Sequence, residues 1–262
     1  MAEKQKAVDH SKMKLGKHPP KKDSRTFHLS SYLHNEKIPP LPHECNWGNK
    51  VHPDKWGVMR NLKLENCTCA AAGHFIMAWT SNTGKLFKPT DKAIVETYSA
   101  VTGYDPKTGK NDTGAYAMDV LKYWRKKHIA GHSIFAFAKA DHKDHHQLRQ
   151  SVFLFGGCFA GLGLPKSSVK QPIWDLTEEG LKGDGEFNSL GGHAVLITGY
   201  NKDGLKAITW GKEKFMTWDF WNAYGEEAYA VFSEDFIRNN LNPQGIHIDL
   251  LKNDIRLLKK DD

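Results

Sequence analysis

Asn66-Cys67-Thr68-Cys69-Ala70-Ala71-Ala72-Gly73-His74-Phe75-Ile76-Met77-Ala78-Trp79 is an apolar, alanine-rich stretch with a thiol at its head. The pattern predicts a helix from about Asn66 or Cys67 to about Trp79, stopped by Ser81-Asn82-Thr83-Gly84. Far downstream, Gly191-Gly192-His193-Ala194-Val195-Leu196-Ile197-Thr198-Gly199-Tyr200 puts a histidine at the mouth of an apolar strand. A cysteine opening a helix and a remote histidine opening a strand are the two halves of a thiol-nucleophile site.

Helix geometry narrows the pair. A thiolate is the working nucleophile, and a helix N-terminus favours it through unpaired N–H groups and the macrodipole. Cys67 and Cys69 lie roughly 200° apart around a helix, so they face different surroundings. Cys67 is the expected nucleophile, and Cys69 reads as a small core residue. His74 follows Cys67 by seven residues, about 10 Å along the helix axis, too far for a hydrogen bond. His193 comes from another part of the chain and has no such limit.

The rest of the chain divides by texture. A second helix is expected between the cap pair Thr90-Asp91 and Gly103, and a third over about 115–126. Strands are expected at 133–139, 158–164, 193–200, 205–210 and 227–232, with a short helix at 145–155. Asn201-Lys202-Asp203-Gly204 reads as a hairpin turn, residues 166–190 as a long loop, and 248–259 as helical. Helices in the first half and strands in the second give an α+β layout, with a helical lobe over about 60–130 carrying Cys67. A β lobe over about 131–262 carries His193. A cleft between two such lobes is a natural site.

Bulk properties exclude several function classes. Hydrophobic content of 39% and charged content of 26% fit a globular protein. No apolar run approaches the ~18 residues of a membrane span, and the lysine-rich N-terminus has no secretory h-region. Residues 1–25 hold eight basic and three acidic side chains, +5 of the chain's +7. The excess therefore reads as a basic, flexible tail ahead of one domain over 26–262, and nucleic-acid binding is not expected as the main role. Four cysteines with no CxxC pair suggest neither a disulfide scaffold nor structural zinc. Asp141-His142-Lys143-Asp144-His145-His146 reads as cap and first turn of the following helix rather than as a metal site. No metal or other cofactor is expected.

Several segments together resemble the papain-like cysteine peptidases, and in particular an uncharacterised papain-like group of bacteria and their phages. Cys45-Asn46-Trp47 is similar to the Val-Asp-Trp opening of that family's mature domain. Asn61-Leu62-Lys63-Leu64-Glu65-Asn66-Cys67-Thr68 resembles its Gln-Gly-x-x-Gly-Ser-Cys-Thr nucleophile motif. Gly192-His193-Ala194-Val195 with Gly199-Tyr200 resembles its His-Ala-Val…Gly-Tyr segment. Thr209-Trp210-Gly211 resembles Ser-Trp-Gly, and Tyr224-Gly225-Glu226-Glu227-Ala228-Tyr229 resembles Trp-Gly-Glu-Asn-Gly-Tyr. These lie in family order over roughly residues 43–232.

The resemblance implies a papain-like two-lobed fold and amide hydrolysis through an acyl-enzyme on a peptide or protein substrate. Cys67 would attack and His193 would shuttle the proton. Asn61 would join the Cys67 backbone N–H in holding the oxyanion, and Trp210 would shield the catalytic hydrogen bond. Two departures stand out. Asn61 is one methylene shorter than the family's glutamine, and Ile208 stands where the family has the asparagine that orients the histidine. Thr209, Asp219 and Asn222 are the candidates to replace it, with Thr209 placed beside Cys67, His193 and Asn61 in the expected catalytic set. Residues 1–42 are long enough to cover the cleft. The alternative implied by the lost asparagine is an inactive papain-like binding or structural protein, such as a virion component. A cytoplasmic or virion-associated location is expected; oligomeric state is not legible.

Overall fold

The computed structural model describes residues 13–31, 33, 39–238 and 241–245. The helical pattern expected over 248–259 lies outside the described residues. In chain order the elements are β1 (Cys45–Asn46), α1 (Cys67–Thr83), α2 (Asp91–Thr102), α3 (Ala117–Lys126), β2 (Ala136–Ala140), α4 (His145–Phe155), β3 (Cys158–Leu164), β4 (Gly191–Tyr200), β5 (Gly204–Thr209), β6 (Lys212–Thr217), α5 (Trp218–Tyr224) and β7 (Gly225–Phe232). The strands form one antiparallel sheet in the order β2-β7-β3-β4-β5-β6, with β1 added to the far end of β4. This is the expected α+β layout: helices α1 to α3 on one side, the sheet with α4 and α5 on the other. Among the described residues no helix is long and apolar enough to cross a membrane.

The central helix is buried on every side. Cys67 to Trp79 are all shielded from solvent, so α1 is a core helix rather than an amphipathic one. It runs a turn beyond Trp79, through three of the expected stop residues, and the polar side chains of that turn bond backwards. Thr80 Oγ1, Asn82 Nδ2 and Thr83 Oγ1 donate to the carbonyls of Ile76, Ala78 and Trp79. These side chains find their partners within the helix and so do not compete for its backbone from outside. Indole N–H groups then tie the layers together: Trp79 donates to Phe155 O and Trp47 to Val152 O, both at 2.8 Å.

Local signals set the other helices. Thr90 Oγ1 accepts from Ala93 N, and Gly103 closes α2 in the left-handed region. Asp144 caps α4 and Gly156 closes it, so that polar cluster serves helix α4. Among the described residues no group of three His, Cys, Asp or Glu side chains gathers as metal ligands do. All four cysteines are free.

Three elements are absent from the sequence expectation, the two-residue β1, β6 and α5. β6 is an edge strand with exposed Lys212 and Glu213, which blunts its hydrophobic signature as edges often do. The segment 166–190 is pinned through Trp174, which is buried, exchanges backbone hydrogen bonds with Phe215 and Thr217 across β6, and stacks on Phe220.

Gly156 offers a test of this packing. At its φ of +78° a Cβ would sit 2.7 Å from Phe236 and 2.8 Å from Trp79, whereas at Gly109 (φ +73°) nothing lies within 4 Å. Gly156→Ala should destabilise by about 2 kcal/mol or more and Gly109→Ala by about 1 kcal/mol, from backbone strain alone. Urea midpoints check this; equal losses at the two sites would contradict it.

Candidate active site

Asn66 leads into α1 with non-helical φ/ψ, and its Nδ2 donates to Met59 O. Cys67 is the first residue of the helix. Its Sγ accepts the backbone N–H of Ala194 at 3.4 Å, directly from β4. His193, the preceding residue of β4, is fully buried. Its Nε2 lies 2.6 Å from Thr209 Oγ1. Its ring stacks on Trp210 at 4.3 Å between centroids and 17° between planes. Nδ1 has no hydrogen-bond partner among the described residues.

Of the three candidates for orienting the histidine, Thr209 is the one in contact. Asn222 bonds His145 instead, at 2.7 Å; Asp219 lies in the first turn of α5. Neighbouring strand residues face opposite ways. Ile208 is buried in the sheet opposite Leu196, which leaves Thr209 to face the imidazole. Asn61 is also buried. Its amide donates to Leu64 O at 3.1 Å and reaches Leu15 O at 3.4 Å. The shortened side chain is therefore partly tied to its own loop. His74 bonds Gly57 O and packs edge-on against Trp56, away from Cys67.

Residues 13–25, within the segment read from composition as a flexible tail, are packed against the body. Trp210 Nε1 donates to Lys14 O at 2.9 Å, and Leu15 O faces Asn61. Ala115 N donates to Gly16 O, His18 N to Ala115 O, and Lys17 N to Gly192 O, at 2.7, 3.0 and 3.0 Å. The strap thus runs parallel to Ala115 on the helical side and is tied to Gly192, next to His193, on the sheet side. It fits because Gly16, Gly114 and Gly192 lack side chains: a Cβ at any of them would collide with backbone across the contact. Farther along, Lys21 pairs with Asp119, and Asp23 with Lys122 and Arg25. Composition alone misses this because the partners are distant in sequence.

Burial sets the charge state of the pair. It pushes the Cys67 thiol up to about 12, although the Ala194 N–H and the Lys17 charge work in the opposite direction. It pulls His193 down to about 3, helped by the Lys17 charge. Beneath the strap the pair is neutral thiol and neutral imidazole, and no hydrogen bond joins Sγ to either ring nitrogen.

No protein-family model and no curated protein sequence matches the chain. Solved structures do. Xylellain, a cysteine protease from Xylella fastidiosa, is 15% identical, with 85% of this chain and 97% of that chain covered at a TM-score of 0.62. Digestive procathepsin L 3 of Tenebrio molitor larval midgut is 11% identical, with 86% and 77% covered and a TM-score of 0.54. The cysteine protease and lectin-like domains of Cwp84 from Clostridium difficile are 11% identical, with 85% and 57% covered and a TM-score of 0.55.

The buried histidines predict a pH dependence of stability. Burial also lowers His74, to about 4. Both groups titrate near 6.5 when unfolded. Below that pH the unfolded chain takes up protons that the native chain refuses. The stability is therefore complete above about pH 6.5 and is lost as pH falls towards the native values. At pH 5 the loss should be on the order of 2 kcal/mol for each histidine. Urea midpoints at pH 7.5 and 5, compared with His74→Asn, measure it; a flat profile would contradict the neutral buried pair. From these contacts and comparisons, the chain has the papain-like cysteine protease fold, with Cys67 at the start of its buried helix and His193 beside it on the sheet.

Proposed function

We propose that the protein is a papain-like cysteine peptidase or related amide hydrolase, held closed by residues 13–18. The observation that carries this reading is Cys67 Sγ at a helix N-terminus, bonded by the residue that follows His193, with that imidazole held by Thr209 and covered by Trp210. With Nε2 engaged by Thr209, Nδ1 remains as the base. When the strap leaves, water and substrate replace the burial that keeps the pair neutral. The Sγ proton passes to Nδ1, and the thiolate attacks the carbonyl carbon of the substrate. The Cys67 backbone N–H and the Asn61 amide receive the oxyanion. The imidazolium then gives its proton to the departing amine. A water activated by His193 hydrolyses the thioester and restores the thiol.

A second reading is a catalytically inactive papain-like module for binding or for a structural role, as in a virion. The absence of a Cys67–His193 hydrogen bond and the sharing of the Asn61 amide with Leu64 O favour it.

A thiol-directed epoxysuccinyl probe at pH 6–7 separates the two. In the full chain carrying Lys17→Glu, Cys67 should be labelled about tenfold or more faster than in the wild type, because opening exposes a low-pKa thiolate. Adding His193→Ala should abolish the selectivity. Labelling of Cys67 no faster than Cys69 in the opened chain would overturn the peptidase reading. Thr209→Val in that background should lower the labelling rate roughly 10- to 100-fold by freeing the ring, while Thr209→Ser should restore most of it.

A further inference from the structure

Lys17 is a lysine with a fully buried side chain. Its aliphatic stem lies over Gly161, where a Cβ would come within 2.7 Å of Lys17 Cδ. Its ammonium ion-pairs with Glu226 Oε2, sits 3.3 Å from Glu227 Oε1, and donates to the carbonyl of His18 at 2.9 Å. The Glu227 contact is an ion pair without hydrogen-bond alignment. The other Glu227 oxygen accepts from Tyr229 Oη at 2.8 Å, which fixes the carboxylate.

The pocket is built by the sheet and not by the strap. β7 carries a bulge opposite β3: Gly161 pairs with Glu227 but Leu162 pairs with Gly225, so Glu226 is the extra residue. A bulge re-aims a side chain that would otherwise point to the opposite face. Two consecutive carboxylates thereby reach one point, and Gly161 leaves room for a methylene stem between them. Without Lys17 two acidic side chains would face each other there, one of them wholly buried, and such charges call for a cation. The ammonium donates to two oxygens, Glu226 Oε2 and His18 O, and its charge faces a third, Glu227 Oε1.

Besides a stack of the His18 ring on Tyr116, the remaining ties of residues 16–18 to the cleft walls are main chain to main chain, to Gly192 and Ala115. Those groups would bind the backbone of any extended peptide. We infer that the Gly161–Glu226–Glu227 pocket is a lysine-recognition subsite: Lys17 fills it in the closed chain, and in the open chain it selects a substrate with a lysine side chain at that position. The inference rests on the peptidase reading for its use in catalysis, but the pocket's preference can be measured as binding.

The test uses the full chain with Lys17→Glu, which sets three acidic side chains against one another and expels the strap, and with the milder Lys17→Ala. Calorimetry would compare the blocked peptide Leu-Gly-Lys-His with its norleucine and glutamate analogues. The lysine peptide should bind about tenfold or more tightly than the norleucine peptide, as expected for a cation whose buried carboxylate partners are otherwise left bare. Glu226→Gln with Glu227→Gln should erase that difference. Equal affinities, a preference that survives the glutamine variants, or a strap still in place in both Lys17 variants would overturn the inference. Fluorogenic peptides separate it from the peptidase reading. Lysine-selective binding without cleavage by the open chain leaves the subsite and removes the peptidase. Cleavage indifferent to lysine does the reverse.

Discussion

The structure depends on how closely α1 approaches β4. A helix lies directly on a strand here, and its small residues Ala70, Ala71, Ala72 and Gly73 keep it slim enough to be packed on every side. On the side away from the sheet a Cβ at Gly73 would strike Met59 and, in α2, Ile94, so the helical layer is equally close. The approach of α1 to β4 lets the Ala194 N–H reach Cys67 Sγ, 127 positions away, and sets Cys67 and His193, the residue before Ala194, in one site. It also buries them, and burial opposes charge on both. The fold thus supplies proximity and, with the strap in place, withholds ionisation.

The N-terminal strap completes that state. It adds the covering layer over the pair and brings an ammonium into the acidic recess on the sheet side. Its hold combines main-chain hydrogen bonds, which are indifferent to sequence, with the His18–Tyr116 stack, the half-exposed Lys14–Glu65 pair and one buried ion-pair cluster, which are not. Removing one partner from a buried cluster costs about 3–5 kcal/mol, because the remaining charges are left without water or counter-ion. A single lysine can therefore decide whether the segment stays in place.

Much of the fold was legible in the sequence, and for identifiable reasons. β3 and α4 have the expected bounds because each ends on strong punctuation, Pro165 for the strand and Gly156 for the helix. β1, β6 and α5 were missed because β1 has two residues, β6 is a polar edge, and α5 has only seven residues, too few to show a period. Cys67 and His193 were legible from their places at element starts. Thr209 could only be left among three candidates, because the choice rests on which face of β5 looks at the imidazole. Lys17, Glu226 and Glu227 gave no signal as a site. Their meeting across 209 and 210 residues depends on a bulge that no local pattern announces.

The central claim is that residues 13–18 lie across Cys67 and His193 and are held there by the lysine pocket. Amide hydrogen exchange on the full chain tests it most directly, at the N–H groups of Lys17, His18 and Ala115. The account predicts slow exchange at all three in the wild type. It predicts fast exchange at Lys17 and His18 in Glu226→Gln/Glu227→Gln, with α1 still protected. Exchange of Lys17 and His18 in the wild type at the rate of an unstructured peptide would contradict it.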